Sequence, residues 1–190
     1  MSELARSPDT SSTPEGWLVV VDLQRVFGDP SSPWTIARFE EVRPRVRRLV
    51  EAFGDRVVLT RFVAPREPVG AWVDYYREYP FALRPPDDPI YELVEDPGRA
   101  RVLDATTFGK WGPELARIVG AGPLTVTGVA TDCCVLSTVL PAADAGMTVR
   151  VVTDACAGSS DEDHDRALRL MSLYGPLVQL RTTGEVLAYR

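Results

Sequence analysis

The sequence predicts a three-layer α/β/α domain built on a six-stranded, mainly parallel sheet. Three observations predict it. Short, continuous apolar runs rich in β-branched residues recur along the chain, as in strands buried on both faces. Helical stripes separate these runs, and that alternation means βαβ units with helices on both faces of a sheet. The length, 190 residues, suits one domain with a sizeable core.

Residues 1–15 are rich in Ser, Thr, Pro, Asp and Glu. They have little to bury and are expected to form a disordered tail ahead of a single domain over 16–190. Strands are expected at 17–22 (WLVVVD), 56–62 (RVVLTRF), 101–104 (RVLD), 123–129 (PLTVTGV), 148–154 (TVRVVTD) and 176–180 (PLVQL).

Helical patterns lie between them. Residues 37–53 carry apolar residues at 42, 46, 49, 50 and 53, with Pro44 expected near the first turn. Residues 112–120 begin with an early Pro and stop on Gly. Residues 134–146 read as a helix that Pro141 kinks or interrupts. Residues 160–175 open with acidic side chains, which suit a helix N-terminus. Residues 182–189 place Thr182 and Glu185 at capping-box spacing. Segment 63–100 is Pro-rich and carries Trp72, Tyr75, Tyr76, Tyr79 and Phe81. It is either a functional wall or lid, or a surface excursion that packs its own aromatics.

Composition excludes several classes. A net charge of −6 is a poor match to phosphate backbones, so no nucleic-acid partner is expected. No apolar run approaches ~18 residues, so no membrane span is expected. One His and three Cys make neither a Cys/His zinc site nor a disulfide framework. The odd Cys count and an opening stretch without a signal-peptide core fit a reducing cytoplasm.

In an open parallel sheet, sites form at the carboxyl ends of the strands. Asp22 ends the first run, where it is either a tuned carboxylate at the mouth of a dry sheet or a capping residue. In GVATDCCVLST (128–138) a strand passes through a tight connection into a helix near Cys133 or Cys134. A thiol there feels the helix dipole, and nearby N–H groups can hold an oxyanion. The other reading is that both Cys pack as small buried residues. Cys156 reads as structural.

VVDLQRVF (20–27) resembles the Asp-x-Gln-x-x-Phe signature of the isochorismatase-like cysteine hydrolases. GVATDCCV (128–135) resembles their Gly-Val-x-Thr-Asp-x-Cys-Val signature, and 152–168 resembles the segment that ends their fifth strand. The resemblance runs from about 17 to 188. It implies a Rossmann-like sheet, Cys134 as nucleophile, Asp22 as general base and a cis peptide between Val129 and Ala130. It also implies an oxyanion hole from the N–H groups of Ala130 and Cys134. Phe27, Trp72, Tyr75, Tyr76 and Trp111 are expected either to wall an aromatic pocket or to pack as core or interface residues, with Gln24 a further substrate contact and Arg61 placed to bind a substrate carboxylate.

The family's third member is a Lys, and its slot falls on Ala105. Lys110, the single lysine, lies five residues further on. Either Lys110 folds back to supply the charge, or it faces solvent and Arg61 supports Asp22 instead. Nicotinamidases of the superfamily hold a metal with Asp-x-His and a further His after the second strand. Residues 59–69 here carry neither residue type, so no metal and no cofactor are expected.

The resemblance therefore implies a cysteine amidohydrolase that cleaves an amide or carbamoyl C–N bond of a small molecule through a thioester. It also suggests a homodimer or homotetramer. The alternatives are a vinyl-ether-cleaving isochorismatase with Asp22 as acid, and a catalytically impaired member acting as a binding protein.

Overall fold

A computed structural model describes residues 13–188. All six expected strands form, as β1 (Trp17–Val21), β2 (Val57–Phe62), β3 (Arg101–Ala105), β4 (Leu124–Val129), β5 (Val149–Ala157) and β6 (Val178–Arg181). They make one sheet in the order β3-β2-β1-β4-β5-β6, and every pairing is parallel. Two apolar clusters, one on each face, bury Leu18 and Val20 on one side and Val19 and Val21 on the other. That alternation explains why β1 reads as an unbroken apolar run.

The helices are α1 (Arg25–Gly28), α2 (Phe39–Phe53), α3 (Trp72–Glu78), α4 (Pro113–Val119), α5 (Leu136–Asp144), α6 (Asp161–Ser172) and α7 (Thr183–Ala188). The α2 stripe Val42, Val46, Leu49 and Phe53 is buried as its spacing requires. Pro44 falls in the second turn of α2 rather than the first. At α6, the Ser160 side chain accepts from the Asp163 N–H. At α7, Glu185 accepts from the Thr182 N–H, the reciprocal bond of a capping box.

Several features differ from expectation. The expected tail includes Pro14 and Glu15, yet Pro14 is buried and its carbonyl accepts from Arg56 at 2.6 Å. Residues 1–12 of that tail lie outside the described residues, as does Tyr189 of the last expected helix. Segment 63–100 is more regular than its prolines suggest, with α3 and two 3₁₀ turns at Pro80–Ala82 and Pro89–Tyr91.

The chain turns from β4 into α5 through a π-type turn, Thr131–Val135. The Ala130 carbonyl accepts from both Cys133 and Val135 N–H groups, at 3.1 and 3.0 Å. Pro141 does not break α5, but it offers no N–H to the Ser137 carbonyl one turn back.

Candidate active site

β1 and β4 lie side by side at the centre of the sheet, where the strand order reverses. Such a switch point opens a crevice beyond the strand ends. Val21 is opposite Gly128 in register, so the residues that follow, Asp22 and the 129–134 segment, emerge together. Gly128 permits the approach. Its φ is +113°, and a Cβ there would lie 2.1 Å from the Val21 carbonyl oxygen. The Val129–Ala130 peptide is cis.

Asp22 leaves the strand with a left-handed φ of 49°, strained for a residue with a Cβ and the kind of departure that clusters at functional sites. Its side chain is wholly buried. Thr60 holds it twice: the Thr60 hydroxyl donates to Oδ1 at 2.7 Å and accepts from the Asp22 N–H at 3.1 Å. Oδ2 lies 2.9 Å from Lys110 Nζ, whose side chain is also fully buried. Among the described residues Oδ2 accepts no hydrogen bond.

Lys110 arrives from the loop after β3. Its ammonium donates to the Thr107 carbonyl at 2.8 Å, and its backbone N–H donates to Thr138 Oγ1 at 2.9 Å. Thr138 in turn donates to the Cys134 carbonyl at 2.7 Å. One threonine of α5 thus ties the lysine loop to the backbone of Cys134. Gly109 lets the loop come this close, because a Cβ there would lie 2.5 Å from the Ser137 carbonyl oxygen. That is the carbonyl from which Pro141 withholds a helical donor.

Cys134 is buried and Cys133 half-buried. Both line a cavity of about 270 Å³ with Ala130, Ser159 and the rings of Phe27 and Trp34. Phe62, Tyr75 and Phe108 complete its aromatic wall. The neighbouring Cys133 thiol, burial and the Asp22 carboxylate hold Cys134 well above the ordinary thiol range, and the Lys110 ammonium opposes them. The neighbouring Cys134 thiol draws Cys133 below its ordinary value, against burial. Burial, and then the Cys133 thiol, push the Tyr75 phenol up.

The loop is braced by the β5–α6 connection and by α6. Asp132 accepts from the Ser159 N–H and hydroxyl at 2.8 and 2.6 Å. Thr131 Oγ1 lies 2.8 Å from His164 Nδ1.

The structure brings together Asp22, Lys110, Ala130 and Cys134, with Phe27 in the wall. It does not bring in the other expected contacts. The Gln24 amide is consumed by the Phe62 and Tyr91 carbonyls and the Phe62 N–H, all within 3.1 Å. Arg61 is not the partner of Asp22; it grips Asp104 with two bonds, at 2.7 and 2.6 Å. Trp72 packs behind the wall, 5.0 Å from the Phe108 ring centroid. Trp111 does not line the cavity; it packs against the apolar cluster that contains Cys134 and Val135. Sequence reasoning missed Thr138 and Trp34; Thr60, a polar residue at the end of the second apolar run, was legible as a strand-end position.

Donors for a metal do not fit here. The Lys110 ammonium, 2.9 Å from the Asp22 carboxylate, repels a second cation. Among the described residues no group of three or more His, Cys, Asp or Glu is placed to hold an ion.

Solved structures share this fold. A cysteine hydrolase from Pseudomonas syringae pv. phaseolicola 1448A superposes with a TM-score of 0.77 at 21% identity, over 90% of each chain. Pyrazinamidase of Pyrococcus horikoshii in complex with zinc gives 0.72 at 26%, over 87% of this chain and 97% of that one. A nicotinamidase/pyrazinamidase from Bacillus subtilis gives 0.68 at 20%, over 86% and 97%. No curated protein matches the chain. The isochorismatase domain family matches residues 16–183, a span from β1 into α7 that takes in both strand ends of the crevice. With that match the chain belongs to the isochorismatase family, and it is a hydrolase.

Proposed function

We propose that the protein is a metal-independent cysteine hydrolase that cleaves the C–N bond of a small, neutral carboxamide. The observation that carries this reading is the buried Asp22–Lys110 pair beside the Cys134 thiol. A thiol held above its ordinary range needs a base at the moment of attack. Asp22 Oδ2 keeps a lone pair for that proton, and Lys110 and Thr60 fix the direction of the carboxylate.

Cys134 Sγ attacks the carbonyl carbon as Asp22 takes the thiol proton. The N–H groups of Ala130 and Cys134 hold the developing oxyanion. The C–N bond breaks, the proton passes from Asp22 to the leaving nitrogen, and a thioester remains on Cys134. Water, deprotonated by Asp22, then attacks the thioester. The acid leaves and the thiol recovers its proton. No step uses a metal, in keeping with the donor set. The zinc bound by the Pyrococcus horikoshii pyrazinamidase belongs to that protein.

The cavity wall supports the neutral substrate. Rings and thiols dominate it, and among the described residues no Arg, Lys or His lines it. A carboxylate-bearing substrate would lose hydration without gaining a cation. The same point disfavours the vinyl-ether reading, since isochorismate is anionic. The test is ammonia release from neutral aryl and alkyl carboxamides, run beside isochorismate cleavage. Wild type is expected to hydrolyse the carboxamides, and Cys134→Ala to lose at least ~10³-fold in rate. Isochorismate cleavage that survives Cys134→Ala would instead establish the vinyl-ether reaction.

A further inference from the structure

Thr138 is a fully buried polar residue of α5, one turn beyond Cys134, and it does not line the cavity. A threonine inside a helix can bond back to the carbonyl four residues earlier. Thr138 does so, giving its one hydroxyl proton to the Cys134 carbonyl at 2.7 Å. The oxygen is then free to accept. Its donor comes from outside the helix: the Lys110 N–H, 28 positions away in sequence, at 2.9 Å. Two backbone segments of the site thus meet on one hydroxyl.

The lysine segment has little else to hold it. Residues 106–111, after β3, form neither strand nor helix. Among the described residues their other hydrogen bonds stay within the loop. Thr107 Oγ1 donates to the Gly109 carbonyl at 2.9 Å, and the Lys110 ammonium donates to the Thr107 carbonyl at 2.8 Å. A residue on a strand is held by the ladder on either side of it. Lys110 has no ladder, and its charge sits at the end of a flexible four-carbon stem. Yet the ammonium is placed on every side, by Asp22 Oδ2 at 2.9 Å, by the Thr107 carbonyl, and by the Phe62 ring with its centroid 5.2 Å away.

We propose that Thr138 is a positioning residue of the active site, holding the Lys110 backbone in register with Cys134 so that the ammonium stays against Asp22. The inference rests on the reading of Asp22, Lys110 and Cys134 as the hydrolytic centre. Thr138→Val keeps the side-chain shape but removes the hydroxyl proton and both lone pairs. The loop then loses its hydrogen bond to α5, and the ammonium leaves Asp22 and Cys134. Because Thr138 lies outside the cavity wall, the loss falls on kcat rather than on KM. The Cys134 thiolate also becomes harder to form, since the Lys110 charge favours it.

The experiment compares the full chain as wild type, Thr138→Val, Thr138→Ala, Thr138→Ser and Thr125→Val, each checked for folding by urea denaturation. Thr125 is a fully buried threonine of β4 whose hydroxyl has no hydrogen-bond partner among the described residues. The first reading is the rate of Cys134 alkylation by iodoacetamide against pH, followed by peptide mapping, which needs no substrate. Thr138→Val is expected to move the Cys134 midpoint to higher pH, and Thr138→Ala, with a smaller side chain, to do the same. Thr138→Ser should restore it, and Thr125→Val should leave it unchanged. The second reading is turnover of a neutral carboxamide. Thr138→Val should lose roughly 10–100-fold in kcat with KM unchanged, and Thr138→Ser should recover most of that loss. An unmoved midpoint in whichever of Thr138→Val and Thr138→Ala is folded overturns the proposal. So does an equal shift in Thr125→Val, a serine variant that behaves as the valine does, or a loss confined to KM. If wild type hydrolyses no carboxamide while the midpoints move as described, the positioning role stands and the carboxamide reading falls.

Discussion

Lys110 Nζ lies 2.9 Å from Asp22 Oδ2, with both side chains sealed from solvent. Removing one member of a buried pair strands the other, at a cost of about 3–5 kcal/mol. Lys110→Met is therefore expected to lower the unfolding free energy by about that amount, read by urea denaturation. Arg61→Ala removes only a partly exposed pair with Asp104 and should cost within ~1 kcal/mol. Equal losses for the two variants would contradict the assignment of Lys110 to Asp22.

Gly109→Ala tests how the lysine loop is docked. The new Cβ would meet the Ser137 carbonyl at 2.5 Å, and neither backbone can yield without moving Lys110. A loss of about 1–3 kcal/mol is expected. Alkylation of Cys134 should change with it, because the ammonium moves away from the thiol. A variant as stable and as reactive as wild type would show that the loop is not held by this contact.

The thiols should respond differently to an alkylating agent. Cys133 is half-buried and lowered, Cys134 is buried and raised, and Cys156 is buried in the sheet. Iodoacetamide near neutral pH, without substrate, is expected to label Cys133 first and Cys156 last, as read by peptide mapping. Labelling of Cys134 first would reverse the assignment of the two thiols.

How much of this site was legible in the sequence depends on what held each residue in place. Asp22 and Cys134 follow apolar strand runs and sit in recognisable signatures, so their positions could be read directly. Lys110 could be named because it is the chain's single lysine. Its reach could not be read, because it depends on Gly109, Thr138 and a proline in another helix. Arg61 misled for a geometric reason. Val20 is opposite Leu59 in register, so an ideal ladder would set Asp22 opposite Arg61. The positive φ of Asp22 takes it off that ladder and turns it to Thr60. Gln24 misled differently, since a signature records that a residue matters but not that its amide braces two backbone turns. The helices of periodic segments were legible. The π-type turn and α3 were not, because tertiary packing fixes them rather than period.

His164 supplies a pH dependence that is simple to isolate, because it is the chain's single histidine. Burial first, then Arg38, hold it below its ordinary value of 6.5, against Asp161, Asp165 and Asp132. Its folded value is thus below its unfolded value, and the unfolded chain binds the extra proton as pH falls. The contribution is full above about 6.5 and is lost as pH falls through the folded value. Wild-type stability is expected to decline from pH 6.5 toward 5, and His164→Gln should flatten that decline. An unchanged slope in the variant would remove His164 from the account.

The central claim is that Cys134 attacks with Asp22 as its base. The most direct measurement is acid-quenched mass spectrometry of the protein during turnover of a neutral aryl carboxamide. The expected result is an acyl group on the Cys134 peptide of wild type, absent from Cys134→Ala and from Asp22→Asn. Amide turnover in Cys134→Ala at the wild-type rate would contradict the claim.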